Sequence, residues 1–399
     1  MRLLLLVPDA LPAFRVDVAV LFGKYLPREG IVSDVIGRSL PGVGAQEQGF
    51  ASAQRSSPQG GRLAREWAYL RLAFAALTEV QRPACDAIVV RDMVSIGLLA
   101  VLTAGRRGIP CAYWMSYLMS EGRRQRALAG GAWRSSLRAT LVWLKGATEE
   151  WLLHRVVLPR CRHVFAQSEA MRAHLVGRGL PAQRVSAVPM GVDTEVVRRE
   201  RVAAHRPPGW DGVPLVAYLG SLERSREPWV LVDMLRRLRE RYPAARLLLV
   251  GSADSDAATD ALRARIAAAG LADVVQITGW LPSAQAFELI CGADVTVSWV
   301  PRSPVYDLSS PTKLLETLAL GLPSVANDNP DQAEVLARSR AGRLAASDAV
   351  SLADAVAALL ADPVAATAQA AAGPAAIDGF RSYRVLAAEV AARLRALCG

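Results

Sequence analysis

The sequence predicts an α/β protein built from two doubly wound, Rossmann-like domains. Short runs rich in leucine and β-branched residues alternate with longer segments of helical period, a pattern typical of parallel strands joined by crossover helices. The 399 residues exceed what one ordinary core accommodates and suit two domains of about 200 residues each. The candidate strands also divide into two sets of six, which predicts two separate sheets.

Each set of candidate strands belongs to one half of the chain. The first set consists of Leu3–Val7, Val32–Ile36, Ala87–Val90, Cys111–Trp114, His163–Gln167 and Val185–Val188. The second set consists of Leu215–Leu219, Arg246–Val250, Val274–Thr278, Val295–Ser298, Pro323–Asn327 and Ala341–Leu344. We expect each set to form one mostly parallel sheet with helices on both faces.

A charged, proline-containing stretch separates the two sets. Thr194–Pro214 contains Pro207-Pro208-Gly209 and cannot continue a helix or a central strand, so we place the interdomain linker there. The predicted domains are residues 1–195 and 196–379. A C-terminal helix of about residues 380–399 is expected to pack back on the first domain.

Two stretches interrupt the alternation of strands and helices. Arg38–Arg62 contains clusters of proline, glycine and serine and is predicted as a loop between a strand and a helix. Glu121–Arg162 is rich in arginine and has helical period, so it is predicted as a helical insertion.

The composition argues against a membrane-spanning protein, although 52% of the residues are hydrophobic. A helix needs about 20 consecutive apolar residues to cross a bilayer, whereas the best run, Met93–Gly105, has thirteen. The N-terminal apolar run, Leu3–Val7, ends at Pro8 without a following cleavage site, unlike a signal peptide. We therefore expect a cytoplasmic protein.

The net charge of +10 is unevenly distributed. Residues 1–200 hold 27 basic and 16 acidic residues, whereas residues 201–399 hold 20 and 21. A basic half of this kind can face nucleic acid, an anionic membrane or an acidic substrate. It can equally be the solvated surface of a protein from an arginine-rich proteome.

Cysteine and histidine give no indication of a disulfide framework or a metal site. The five cysteines are widely spread and contain no C-x-x-C pair, so we expect reduced thiols. The four histidines lack the i,i+4 spacing that places two imidazoles on one helical face. We expect no metal site made from them.

The segment from Asp307 to Pro323 carries the clearest chemical signal. Ser310 is a good N-cap and Pro311 suits the first helical position, so a helix is predicted to start there. The unpaired amides of its first turn and the charge of Lys313 make an anion site. Glu316, three residues further, can bind vicinal hydroxyls beside that anion. The alternative is a well-capped helix whose lysine and glutamate face water.

Further turns are predicted at the same edge of the second sheet. The segment Gly220–Arg226 follows a strand and opens a helix at Glu227-Pro228, which adds amides and two arginines. Turns at Gly251 and at Gly279-Trp280-Leu281 follow the next two strands. Ligands of doubly wound folds bind at this carboxyl edge.

Six segments of the second half occur in an order and spacing typical of one enzyme family. They are Tyr218–Leu222, Leu248–Gly251, Ile277–Gly279, Ala293–Val295, Ser310–Glu316 and Ala341-Gly342. In this they resemble the retaining GT-B glycosyltransferases called family 4, and Phe165–Ser168 and Val188–Asp193 of the first half are similar as well. The resemblance implies two Rossmann-like domains facing a cleft, with an acceptor in the first and a nucleotide sugar in the second.

The resemblance also implies roles for individual residues. Glu316 takes the place of the glutamate that binds the ribose hydroxyls, and Arg226 and Lys313 face the diphosphate of a UDP- or GDP-linked sugar. No cofactor or metal is implied. The implied donor-binding residues are Gly220, Ser221, Arg224, Gly251, Gly279, Trp280, Leu281, Asp307, Ser309, Ser310, Pro311 and Thr312.

The second half departs from the family pattern at two positions. Ser221 stands where the family has its first phosphate-binding basic residue, and Arg224 is a substitute nearby. Leu308 stands where the family has the first of two glutamates, and Asp307 is one residue away.

The first half departs from the family after its first strand. No Gly-Gly turn follows that strand, so Arg15 or Asp17 is predicted to face the cleft instead. Asp92 and Ser116 follow later strands and are predicted either to orient an acceptor or to cap helices.

The leading hypothesis is a glycosyltransferase acting on a lipid-linked oligosaccharide in bacterial cell-surface polysaccharide synthesis, peripheral on the inner face of the plasma membrane. Tryptophans 114, 133, 143 and 151 interleave with arginines, as an interfacial helix requires, although Leu137, Leu141 and Leu144 of the same stripe are also typical of a core. One alternative is a GT-B transferase with a soluble small-molecule acceptor. Another is a non-catalytic nucleotide- or nucleic-acid-binding protein, but no helix-turn-helix, zinc or RNP pattern supports nucleic acid.

Overall fold

The computed structural model describes residues 1–13, 15–39, 49–57, 59–123 and 137–398. The chain divides into an N-terminal unit, Met1–Met190 with Tyr383–Gly399, and a C-terminal unit, Gly191–Ser382. The first division lies five residues before the predicted boundary at residue 195, and the second lies between residues 382 and 383.

The N-terminal unit contains a seven-stranded parallel sheet. Its strands are β1 (Arg2–Leu11), β2 (Val32–Ser39), β3 (Ser52–Ser56), β4 (Ala87–Arg91), β5 (Cys111–Met115), β6 (His163–Ala166) and β7 (Val185–Ala187). They lie in the order β3-β2-β1-β4-β5-β6-β7. Helices cover both faces of such a sheet, which is why Leu3–Val7 is continuously apolar and buried.

The edge strand β3 was not predicted and lies inside the stretch that the sequence predicted as a loop. Asp34 to Arg38 of β2 pair in parallel with Ser52 to Ser56. The sequence of β3 is polar and lacks β-branched residues, so it gives no strand signal. Residues 40–48 and 58 of the predicted loop lie outside the described residues.

Helices connect the strands of the N-terminal unit. They are α1 (Asp17–Tyr25, continuing through Leu26–Arg28), α2 (Arg62–Glu79), α3 (Val94–Arg107), α4 (Leu137–Leu152, continuing through Leu153–Val157 and Leu158–Arg160) and α5 (Glu169–Gly177). The buried face of α2 consists of Tyr69, Ala73 and Leu77, which recur every four residues, as an amphipathic helix requires.

The predicted helical insertion is helical at residues 121–123 and 137–160, and residues 124–136, including Trp133, lie outside the described residues. Leu141 and Leu144 are 58% and 49% exposed, so the expectation that they are core residues is wrong. The prediction that Trp114 lies in a membrane interface is also wrong, because Trp114 belongs to β5 and packs edge-on against Phe22, with 5.0 Å between the ring centroids.

The C-terminal unit contains a six-stranded parallel sheet in the order β10-β9-β8-β11-β12-β13. Its strands are β8 (Leu215–Leu219), β9 (Arg246–Val250), β10 (Val275–Ile277), β11 (Val295–Ser298), β12 (Ser324–Asn327) and β13 (Arg343–Ala345). The strand order reverses between β8 and β11. That reversal is the point at which doubly wound sheets bind ligands.

Eight α-helices surround this second sheet within the described residues. They are α6 (Trp229–Leu238), α7 (Asp256–Ala268), α8 (Ser283–Cys291), α9 (Thr312–Ala319), α10 (Pro330–Ser339), α11 (Ala349–Ala361), α12 (Pro363–Ala370) and α13 (Gly373–Phe380). Leu231, Leu235 and Leu238 of α6 pack with Leu352 and Val356 of α11 in the core.

The last helix, α14 (Tyr383–Cys398), packs in the N-terminal unit. Leu386, Val390 and Leu394 share one hydrophobic cluster with Leu3 and Leu5 of β1. The chain therefore leaves the N-terminal unit after Met190 and returns to it at Tyr383.

Within the described residues, no single helix has both the length and the apolar character needed to cross a membrane. Ala349–Ala361 and Pro363–Phe380 meet the criterion only when taken together, and the chain bends by 102° between them.

Candidate active site

Three predicted glycines come together at the carboxyl edge of the second sheet. Gly251 and Gly279 form an isolated bridge, and the Gly251 amide donates to the Thr278 hydroxyl at 3.3 Å. A side chain on Gly251, whose φ is +153°, would place its Cβ 1.8 Å from the carbonyl oxygen of Gly220. Only glycine fits that position, so the turns after β8 and β9 are closely packed.

The turn after β8 holds Arg226 in a defined position. The Arg226 guanidinium lies 4.4 Å from the centre of the Tyr306 ring, and its carbonyl accepts from Trp299 Nε1 at 2.9 Å. Tyr306 also donates its hydroxyl to Ser225 at 3.2 Å. Helix α6, which follows this turn, begins at Trp229 rather than at the predicted Glu227-Pro228, because Glu227 adopts a left-handed conformation with φ of +51°. Arg226 is thus fixed by residues that follow β11.

The start of α9 differs from the prediction by one residue. The helix begins at Thr312, and Pro311 precedes it in an extended conformation, so Pro311 is not the first helical residue. Ser310 is not the N-cap, because its hydroxyl bonds to Asp331 and Arg381 instead. Pro311, the residue before the first turn of α9, makes no side-chain cap. The amides of that turn therefore suit an anion that occupies this edge.

Lys313 and Glu316 lie side by side on the first turns of α9. Lys313 Nζ is 3.3 Å from Glu316 Oε2. The lysine side chain is 43% exposed and the glutamate side chain 14%, so the cation is open to solvent and the carboxylate is half-enclosed. This arrangement suits a cation that contacts phosphate and a carboxylate that accepts from hydroxyl groups.

Asp307 forms an ion pair within its own loop. Both of its carboxylate oxygens accept from Arg302, at 2.7 and 3.0 Å, so its charge is already paired within its own loop. The Ser309 hydroxyl donates to the carbonyl of Tyr306 at 2.6 Å. Arg302 and Tyr306 gave no signal in the sequence, because their roles depend on a loop whose shape no local pattern predicts.

The remaining donor candidates lie on the same edge with different exposure. Trp280 is 65% exposed, Arg224 is exposed, and Leu281 is half-buried. Ser221 accepts from the Glu223 amide through its hydroxyl and from Tyr218 through its carbonyl. Burial raises the pKa of Tyr218 to about 12, so this phenol stays protonated and continues to donate.

The candidate residues of the N-terminal unit surround a buried arginine. Arg91, the last residue of β4, pairs with Asp17 and Asp9 at 2.9 Å and with Asp92 at 3.3 Å. Asp17 also accepts from Trp114 Nε1 at 3.1 Å. Asp17 is 2% exposed, so the expectation that it faces a cleft is wrong.

Asp92 and Ser116 are joined by hydrogen bonds. Asp92 accepts from the amide of Ser116 at 2.7 Å and from its hydroxyl, so it caps the end of β5 and not a helix. Burial raises the pKa of Asp92 above its usual range, although the neighbouring Arg91 opposes the shift. Burial alone would lower the pKa of Arg91, but its three carboxylates raise it overall. Arg15, by contrast, is 66% exposed and lies 3.7 Å from Asp9.

Across the described ranges there is no group of three or more histidine, cysteine, aspartate or glutamate side chains with the geometry to hold a metal ion.

Comparisons with known proteins identify both halves of the chain. Residues 17–196 match the family model described as Glycosyltransferase Family 4, and residues 213–362 match the model described as Glycosyl transferases group 1. Both models describe glycosyltransferases, and together they match most of the chain. The chain is 26% identical over 201 residues to the amylovoran biosynthesis glycosyltransferase AmsK of Erwinia amylovora. That match covers 48% of this chain and 46% of AmsK, so it spans about half of the curated relative.

Solved structures confirm the predicted fold class. HepE from Anabaena, in complex with UDP and glucose, has a TM-score of 0.71 at 15% identity and covers 99% of this chain and 100% of its own. Sucrose-phosphate synthase from Thermosynechococcus elongatus has a TM-score of 0.72 at 18% identity, with coverage of 100% and 99%. WaaG, a glycosyltransferase involved in lipopolysaccharide biosynthesis, has a TM-score of 0.68 at 15% identity, with coverage of 98% and 99%. The chain thus has the GT-B fold.

Proposed function

We propose that this protein moves a sugar, with retention of configuration, from a UDP- or GDP-linked donor to a lipid-linked acceptor in cell-surface polysaccharide synthesis. The observation that carries the donor assignment is the first turn of α9, which Pro311 does not cap through its side chain, with Lys313 beside it, on the sheet edge that also holds Arg226. HepE, which shares the fold, binds UDP and UDP-glucose, and AmsK acts in amylovoran biosynthesis. Both relatives support a nucleotide sugar and a polysaccharide product.

The chemistry places its main demand on the leaving group. As the glycosyl bond breaks, negative charge builds on the β-phosphate, and fixed donors aimed at that charge lower the barrier. Lys313, Arg226 and the amides of α9 supply that positive charge. The departing phosphate then accepts the proton of the acceptor hydroxyl on the same face. The proposal therefore needs no resident metal or cofactor, and Glu316 serves to bind the ribose hydroxyls.

Thermal-shift screening with UDP, GDP and ADP tests the donor site, since a ligand at 100 times its Kd stabilises by about 2.7 kcal/mol. Lys313→Ala and Arg226→Ala should each weaken diphosphate affinity about tenfold or more, because hydrogen bonds to charged groups are worth about 1.5–3 kcal/mol. Arg263→Ala, an exposed cation on α7, is the matched control. Glu316→Gln should abolish turnover in a folded protein. Unchanged affinity in both cation variants would contradict the donor assignment.

The acceptor proposal rests on exposed apolar side chains in the N-terminal unit. Helix α2 exposes Trp67 by 66% and Phe74 by 54%, and α4 exposes Leu144 by 49% and Trp151 by 59%. Residues seven apart share a helical face, so each pair forms a stripe. Helix α3 contacts both α2 and α4 and exposes Leu102 by 44%. Such stripes are typical of helices that lie in a membrane interface.

Exposed basic residues accompany these stripes. They are Arg65 and Arg71 of α2, Arg106 and Arg107 of α3, and Lys145 of α4. Each basic residue near an anionic bilayer contributes about 1 kcal/mol, so a few of them suffice for binding at low salt. This surface therefore favours an anionic membrane, on whose inner face a lipid-linked acceptor is presented.

Vesicle flotation tests the membrane proposal. The protein should float with vesicles that contain phosphatidylglycerol and less with neutral vesicles, and added salt should release it. Trp151→Ser and Trp67→Ser should weaken flotation. Trp280→Ser, an equally exposed tryptophan of the other unit, should leave flotation unchanged. No binding to anionic vesicles at low salt would exclude peripheral association and favour a soluble acceptor.

A further inference from the structure

A buried ion pair forms hydrogen bonds with the segment that precedes α9. Arg381 lies directly after α13, and its guanidinium donates to Asp331 at 2.7 Å. The side chains of Arg381 and Asp331 are only 2% and 3% exposed. The Ser310 hydroxyl joins the pair, because it donates to Asp331 at 2.9 Å and accepts from Arg381 at 3.2 Å. The polar cluster therefore fixes the chain two residues before the first helical residue, Thr312.

A second hydrogen bond holds the other end of the same loop, at Tyr306. Asn329 precedes α10 and is fully buried, and its amide donates to the carbonyl of Tyr306 at 2.9 Å. Asp331 belongs to the first turn of α10. The N-terminal turn of α10 thus holds Tyr306 through one side chain and Ser310 through another.

Tyr306 and Ser310, which these hydrogen bonds hold in place, each lie close to one of the two candidate phosphate-binding cations. The Tyr306 ring lies against the Arg226 guanidinium at 4.4 Å, and Ser310 lies three residues before Lys313. A buried ion pair adds little net stability compared with well-packed apolar residues. Its fixed geometry instead determines where the groups attached to it lie, and misplacement of a charged group by about 1 Å costs much of its effect on a bound ligand.

We propose that Asp331, Arg381 and Asn329 are positioning residues, which set the separation between Arg226 and Lys313 so that both cations engage the two phosphates of one nucleoside diphosphate. This inference rests on the proposed donor site. It assigns to the start of α10 a role in recognising a diphosphate in preference to a monophosphate, since a second phosphate gains affinity only when both cations are correctly spaced.

The test compares UDP with UMP and GDP with GMP by calorimetry. Ser310→Ala removes the hydroxyl that links the ion pair to the loop, and Ser310→Thr retains it. Ser310→Ala should lower the diphosphate-to-monophosphate affinity ratio by about tenfold, which corresponds to 1.4 kcal/mol, whereas Ser310→Thr should restore most of it. Affinity for the monophosphate should change little. A purely structural role would weaken both nucleotides equally.

A double-mutant cycle completes the test. If Ser310 acts through Lys313, the effect of Ser310→Ala should largely vanish in a Lys313→Ala background, because coupled residues are not additive. Asp331→Asn is a second variant, and its ratio should fall like that of Ser310→Ala wherever it folds. An unchanged ratio in Ser310→Ala, or full additivity with Lys313→Ala, would overturn the positioning role and leave the donor site in place. Absence of diphosphate binding in the unmodified protein would overturn both proposals.

Discussion

Replacing the buried Arg91 by methionine should strongly destabilise the N-terminal unit. The side chain is 4% exposed and pairs with Asp9, Asp17 and Asp92, of which the last two are 2% and 5% exposed. Methionine fills much of the volume but leaves these carboxylates without a cation. Breaking a buried pair in this way costs about 3–5 kcal/mol. Because 1 kcal/mol shifts the Tm of a unit of about 200 residues by about 2–4 °C, the expected loss is about 6–20 °C.

Differential scanning calorimetry at pH 8 and pH 5 measures this loss. The loss should be smaller at pH 5, because burial raises the pKa of Asp92, and its protonation removes one of the unpaired charges. Arg2→Met is the control in the same unit. Arg2 pairs with Asp34 in an exposed position, with 51% and 24% of the side chains accessible, so Arg2→Met should lower the Tm far less than Arg91→Met. A loss below about 1 kcal/mol for Arg91→Met, or a larger loss at pH 5, would refute the reasoning.

Two further predictions concern a turn and a titration. Gly251→Ala should reduce both Tm and nucleotide affinity, because its Cβ would meet the Gly220 carbonyl at 1.8 Å; Gly270→Ala, with open space around it, should reduce Tm less and leave affinity unchanged. Burial lowers the pKa of His163 to about 4, below its usual 6.5, so the unfolded chain binds more protons between these values. The unfolding free energy should therefore fall by at most about 3 kcal/mol as pH drops from 6.5 to 4. His163→Gln should make the unfolding free energy less dependent on pH. An NMR titration of His163 with a midpoint near 6.5 in the folded protein would contradict this prediction.

The central strands could be predicted from the sequence because burial on both faces makes their residues continuously apolar. Strands β8, β9 and β11 have the predicted bounds, and β3 was missed because an edge strand carries no such requirement. The edge strands β7, β10 and β13 were nevertheless predicted, so β3 was missed because of its polar sequence and not because of its edge position alone.

The candidate site could be predicted only where local chemistry determines it. Gly251 and the first turn of α9 follow from short-range rules about turns and helix ends. Ser310 obeys the local rule for an N-cap, but a buried pair formed with residues 21 and 71 positions away takes its hydroxyl instead. The run Asn327–Asp331, rich in amides and carboxylates after an apolar strand, was the available signal for that pair.

Arg91 was missed for a similar reason. A charged residue at the end of an apolar run is typical of a strand reaching solvent, and nothing local indicates that Asp9 and Asp17 surround it. Its environment depends on these two aspartates, which are more than seventy residues earlier in the chain.

The return of the chain at Tyr383 affects the order in which the protein acquires its structure during synthesis. A ribosome makes β1 to β7 first, yet the apolar surface that receives Leu386, Val390 and Leu394 stays uncovered until the whole C-terminal unit has been translated. Domains usually fold as they emerge, from the N-terminus onward. Here the C-terminal unit can complete its core before α14 of the N-terminal unit has been made. Premature termination near residue 382 would therefore leave a finished C-terminal unit attached to an unfinished and aggregation-prone N-terminal unit.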